Sequence, residues 1–192
     1  MLLARHKKFL HRIVTGDEKW IHYDNRKEEN HGTTWPRDNI DSKTEYSWKK
    51  LMLCIWWDQL GVVYYELLNP SETIIGTLYR IRLMRLTRAL KEKRPQYYSR
   101  HDKIILPHDN ARPRVAVPVK KYLKALDWEV LPHPPYSPDI APSDYHLFRP
   151  MAHALSEQRF TSYEDTKNWV DSWIASKDKE FFRLGIRTLP EK

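Results

Sequence analysis

The chain has 192 residues, 41% hydrophobic and 30% charged, with eight Trp and eleven Tyr. That size and balance suit one packed domain and exclude a disordered or collagen-like chain. Lys and Arg number 33 against 25 Asp and Glu, a net charge of +8, which favours a polyanionic partner such as nucleic acid.

Residues 1–12 read as a basic, linker-like segment, with Arg5, Lys7, Lys8 and Arg12. These charges interrupt the N-terminal apolar residues before a signal core could form, and no apolar stretch reaches the ~18 residues of a membrane span. The expectation is an intracellular protein with no membrane partner. From Phe9 to Tyr23 an apolar run is broken by Thr15-Gly16-Asp17-Glu18-Lys19, which predicts a first strand with a tight turn or bulge near Asp17. Residues 25–50 hold no period and form a long irregular segment.

Leu51 to Trp57 and Val62 to Leu68, joined by Asp58-Gln59-Leu60-Gly61, predict a hairpin. The single cysteine, Cys54, lies in the first of these runs, excludes an internal disulfide and reads as a buried thiol. A helix is expected from about Thr73 to Arg94, with an apolar stripe of Tyr79, Leu83, Leu86 and Leu90. Arg80, Arg82, Arg85, Arg88 and Lys91 are assigned to its opposite, basic arc. The charge is local: residues 5–12 carry +4 and residues 80–94 carry +6, leaving −2 for the rest.

Ile104 to Leu106 predicts a short strand ending at His108-Asp109-Asn110, Val115 to Leu126 a helix, and Trp128 to Leu131 another strand. After the Pro-rich stretch 132–142, Ser143 is expected to cap a helix beginning at Asp144. A last helix starts at Ser162 and turns Trp169, Val170, Trp173 and Ile174 inward. The prediction is an α/β fold: a mixed sheet, three antiparallel strands and then β-α-β, flanked by helices. This is the element order of an RNase H-like domain.

Asp17 in the first strand region, Asp109 at the end of the fourth strand and Asp144 after the Pro-rich loop can converge if the first and fourth strands are neighbours. Clustered carboxylates repel unless a cation neutralises them. Two Mg²⁺ ions about 3.5 to 4 Å apart would do so and would activate a water or 3′-hydroxyl for attack on phosphorus. Hard oxygen ligands suit Mg²⁺ or Mn²⁺. The same residues also have structural readings: Asp17 in a turn, Asp109-Asn110 in an Asx turn, Asp144 in a helix first turn. Asp139 is a rival third ligand. No His pair has helical zinc spacing, and no G-x-S-x-G or Gly-rich phosphate loop occurs.

Three long blocks, 9–20 (FLHRIVTGDEKW), 108–113 (HDNARP) and 133–148 (HPPYSPDIAPSDYHLF), closely resemble the catalytic blocks of mariner-family transposases. Residues 51–68 and 169–177 are also similar to that family, so the resemblance covers most of the chain except 25–50. The family's last two catalytic aspartates are separated by 34 residues, as Asp109 and Asp144 are here. The resemblance therefore implies Asp17, Asp109 and Asp144 as catalytic metal ligands, in preference to Asp139. It implies an RNase H-like catalytic domain over 13–192, with two Mg²⁺ or Mn²⁺ ions as cofactors. The implied chemistry is cleavage of DNA at transposon ends and joining of the 3′ ends to a TA target, by a homodimer acting in the nucleus.

Candidate DNA-backbone contacts are Arg5, Lys7, Lys8, Arg12, Arg82, Arg85, Arg88, Lys91, Arg112 and Arg114. The departures are specific. Arg114 stands where the family has His, Pro107 falls inside a strand, and 25–50 lacks the family's pattern. The helix-turn-helix region that reads transposon ends is expected to be missing, so a catalytically inactive remnant or recruited binding module is the alternative.

Overall fold

The apolar run 51–57 is continuous because its strand is covered on both faces. In the computed structural model, which describes residues 7–23, 49–69, 75–99, 103–109, 111–133 and 142–188, this run belongs to β2 (Lys49–Asp58). Leu51, Leu53, Ile55 and Trp57 point to one core, with Leu147, Met151, Val170, Phe182 and Ile186. Cys54 and Trp56 point to the other, with Leu83, Leu86, Leu90, Val119 and Leu123. Strand alternation thus places the sheet between two helical layers.

β1 (Thr15–Tyr23) pairs antiparallel with β2, and β2 with β3 (Gly61–Leu68). β4 (Ile105–Asp109) runs parallel to β5 (Glu129–His133). The two sets meet at a parallel bridge, Ile13 to Ile105, where Val14 N donates to Ile105 O at 3.0 Å. The spatial order is therefore β3-β2-β1-β4-β5, the expected mixed RNase H-like sheet. The hairpin closes as predicted: Leu60 N donates to Asp58 Oδ1 at 2.8 Å, and Gly61 takes φ 132°, a conformation suited to glycine.

Helices α1 (Gly76–Lys93), the single turn α2 (Gln96–Ser99) and α3 (Val117–Ala125) follow. After β5 come a π-helical turn (Ser143–Phe148) leading into α4 (Arg149–Ser156), then α5 (Tyr163–Ala175) and α6 (Lys179–Arg187). Among the described residues, no helix is long and apolar enough to cross a membrane.

Several expectations change. The first strand does not begin at Phe9, because Lys7–Arg12 forms a 3-10 helix. There is no bulge at Asp17 either: β1 pairs in unbroken register from Thr15↔Trp57 to Tyr23↔Lys49, and the register shift lies between Trp56 and Trp57. Gly16 is needed for packing, since a Cβ there would sit 2.3 Å from Trp56 Cδ1. Ser143 does not cap its helix; Pro142 holds the N-cap position, and Ser143 Oγ accepts from Trp57 Nε1 at 3.1 Å. Ser162 does cap α5, accepting from Asp165 N at 3.0 Å. Helix α6 went unforeseen, although Asp178 accepts from Phe181 N at 2.8 Å as its cap.

Pro107 is accommodated by strand alternation. Ile104 O bonds toward β5, accepting from Glu129 N, while Ile105 O bonds toward β1. Two residues on, Pro107 turns its missing N–H toward β1 beyond the bridge, where the ladder has ended. The irregular segment 25–50 and Asp139 lie outside the described residues, apart from Lys49 and Lys50 in β2.

Candidate active site

The parallel bridge makes neighbours of the segments that carry two aspartates. Ile13 bridges Ile105, and four residues further on in each segment stand Asp17, on β1, and Asp109, the last residue of β4. The backbone at Asp109 ends β4, paired with His133 of β5; its side chain lies outside the described residues.

Asp144 reaches this region from the π-helical turn, which packs against β1. Arg149 N donates to Asp144 O, the wide i to i−5 bond of a π turn. Pro150, next in sequence, lacks the N–H that a regular α-helical turn would use, so a wider turn before it avoids a clash with the preceding carbonyls. The Trp57–Ser143 bond pins this turn to β2.

Burial raises the Asp144 carboxyl to about 6, and the negative charge of Asp17 pushes it the same way, while Lys19 and Arg114 oppose. The charge of Asp17 thus acts on Asp144, whose turn packs against β1. Lys19, two residues along β1, shares that face, with Nζ 5.8 Å from the Phe148 ring. Glu18 alternates to the other face, level with Cys54 of β2 and through it Glu66 of β3. Burial raises the Glu18 carboxyl, against the pull of Arg114.

Arg114 joins the two faces. Its Nη2 donates to Asp17 Oδ1 at 2.9 Å and also to Glu18 Oε2. Its side chain is 8% exposed, and its guanidinium carbon lies 5.8 Å from the Tyr79 ring centre. Arg114 N donates to Ala111 O at 2.9 Å, a turn that aims the side chain inward. Arg114 also lines a cavity of about 330 Å³, with His108, Lys120, Lys124 and Trp128. Glu18 and Lys19 were not singled out in the sequence, although alternation from Asp17 would have separated their faces.

The charged candidates for DNA contact divide. Arg82 is fully buried and ion-paired to Glu66 at 2.5 Å, which corrects its assignment to the outer arc. It stands three residues after Tyr79 and four before Leu86, so it shares their inward face. Arg114 is likewise turned inward. Arg85 is exposed but also pairs with Glu66, at 2.6 Å. Arg88, Lys91 and Arg112 are exposed, and Arg12 pairs with Glu129 at 3.4 Å. Arg5 and the side chains of Lys7 and Lys8 lie outside the described residues.

Carboxylate oxygens such as those of Asp17 and Asp144 suit a hard divalent cation, which would relieve the effect of the Asp17 charge on the Asp144 carboxyl. Among the described residues, no three His, Cys, Asp or Glu side chains converge on a metal position. Cys54 is buried, with its thiol pushed up by burial, and is not a reactive nucleophile.

A mixed sheet of this order, flanked by helices, is that of an RNase H-like domain. The family described as "Transposase (partial DDE domain)" matches residues 22–100. The chain is 52% identical over 196 residues to the mariner Mos1 transposase of Drosophila mauritiana, covering 100% of this chain and 56% of that protein. It thus spans about half the length of that relative, and the alignment also runs through 25–50. The Mos1 catalytic domain solved with raltegravir and Mg superposes with a TM-score of 0.83 at 52% identity, covering 99% of this chain and 85% of that one. The Mos1 paired end complex with Mn superposes at 0.82 and 51% identity, covering 99% and 56%. The chain belongs to the mariner family of transposases and corresponds to their catalytic domain.

Proposed function

We propose that residues 13–192 act as the catalytic unit of a metal-dependent DNA transposase, with residues 1–12 as the entry linker. The activity is phosphodiester cleavage at element ends and transfer of the 3′ ends to target DNA. The observation that supports this reading is the parallel bridge between Ile13 and Ile105, which makes the segments carrying Asp17 and Asp109 neighbours, together with the packing of the Asp144 turn against β1, where the Asp17 charge helps raise the Asp144 carboxyl.

Asp17, Asp109 and Asp144 would hold two Mg²⁺ or Mn²⁺ ions. Bound there, the ions supply activation of the attacking water or 3′-hydroxyl and neutralise charge on the leaving oxygen. The chain's own residues do the rest. The π-helical turn, pinned through Ser143, positions Asp144 over β1. The exposed Arg88, Lys91 and Arg112 would hold phosphates without reading bases. Support for the metals and for DNA comes from relatives: a Mos1 catalytic domain was solved with Mg and a Mos1 paired end complex with Mn. Two paired ends are served most simply by two catalytic units, so we take the working form to be a homodimer, acting on chromosomal DNA in the nucleus.

The test is a nicking assay on supercoiled DNA with Mg²⁺ or Mn²⁺, comparing the chain with its Asp109→Ala variant. Metal-dependent nicking that the variant loses is the expected result. Equal nicking by both, or none by either, rejects the catalytic reading.

A further inference from the structure

We propose that Arg114 is a resident cation of the catalytic carboxylates: it occupies Asp17 in the absence of metal and so sets how tightly this chain binds a divalent ion. The proposal rests on the metal-binding reading of Asp17 above.

A guanidinium remains charged at any pH the protein tolerates. Here it is held on three sides: by Asp17 Oδ1 at 2.9 Å, by Glu18 Oε2, and by the Tyr79 ring at 5.8 Å. Its side chain is 8% exposed, so bulk water screens little of its charge. It therefore does two things to an incoming dication. It takes lone-pair capacity on the Asp17 carboxylate, and it adds a fixed like charge beside the ligand. Glu18 is what makes the arrangement stable. It is a part-buried carboxylate on the opposite face of β1, and Arg114 bonds both carboxylates through one nitrogen. Metal binding at Asp17 then involves an exchange in which Arg114 loosens from Asp17 while keeping Glu18.

Lys120 and Lys124 separate this effect from general electrostatics. They line the same cavity as Arg114 but are exposed, so removing one of them changes net charge by the same amount without touching Asp17.

The experiment is Mn²⁺ titration of the full chain, followed by the EPR signal of free Mn²⁺, for the wild type, Arg114→Gln and Lys120→Gln. Losing a charge-assisted bond and a neighbouring charge is expected to tighten Mn²⁺ binding on the order of tenfold in Arg114→Gln. The change in Lys120→Gln should stay under about twofold. The gain must disappear when Asp17→Ala is added to Arg114→Gln. A second measurement leaves the fold untouched: in ¹⁵N-Arg-labelled wild type, the Arg114 Nε–H resonance, assigned by its loss in Arg114→Lys, should shift on Mg²⁺ titration. Equal affinity in wild type and Arg114→Gln, a gain that survives Asp17→Ala, or an Arg114 resonance indifferent to Mg²⁺ each overturns the proposal and leaves the metal-binding reading standing. Absence of Mn²⁺ binding in every form overturns both.

Discussion

Asp144 is a carboxylate that folding makes harder to ionise, and replacing it should stabilise the metal-free protein at neutral pH. Its value rises from an ordinary 3.8 to about 6, first through burial and then through Asp17. A raised folded value means that the unfolded chain releases this proton at lower pH than the folded one. The contribution to stability is complete below about pH 4, declines as pH rises through 6, and is lost above. At about 1.4 kcal/mol per unit the full shift corresponds to roughly 3 kcal/mol; because Asp144 is only part-buried, solvent screening reduces this to about 1–2 kcal/mol. Asp144→Asn removes the charge and keeps the shape. In EDTA at pH 8 it is expected to melt about 2–8 °C above wild type, at 2–4 °C per kcal/mol for a chain of this size. At pH 4 the gap should shrink to about 2 °C or less, because Asp144 is then neutral in the folded protein and only partly ionised in the unfolded chain. Thermal melts by circular dichroism from pH 4 to 8 measure the gap. A variant that melts at or below wild type at pH 8, or a gap that does not change with pH, refutes the reasoning.

Two further outcomes test the packing that holds the site. Gly16→Ala forces a Cβ to 2.3 Å from Trp56 Cδ1 and 2.7 Å from Ile55 O; overpacking of this kind should cost about 1–3 kcal/mol in urea denaturation, with β1 displaced beside Asp17. Glu66→Gln strands the fully buried Arg82 without its counter-charge and should cost about 3–5 kcal/mol, whereas the double change Glu66→Leu with Arg82→Met should recover most of that loss by the same assay.

The strands, the long helix and the blocks that carry the family resemblance were legible because each is a local pattern. An apolar run over 51–57, a stripe at Tyr79, Leu83, Leu86 and Leu90, and a block such as 108–113 can all be read without knowing what lies opposite them. The outer arc of α1 was misread at Arg82 for a related reason: charge suggested solvent, while helical spacing from Tyr79 and Leu86 pointed inward, and the buried partner Glu66 lies on a strand 16 residues earlier. Gly16 read as a turn because a glycine's use for close packing depends on the cross-strand neighbour, here Trp56.

By itself, then, the sequence determined the alternation that buries β2 on both faces, the order of elements, and which aspartates to compare. Only the tertiary structure decided that the segment leading into β1 meets β4 at Ile13 and Ile105, which makes the stretches carrying Asp17 and Asp109 neighbours. It also decided that Arg114 turns inward onto Asp17 and Glu18. Residue type and spacing specify what a side chain can do; which of two opposite charges it meets across some 97 residues of chain depends on strand register and helix packing, whose energies come from contacts among many residues at once.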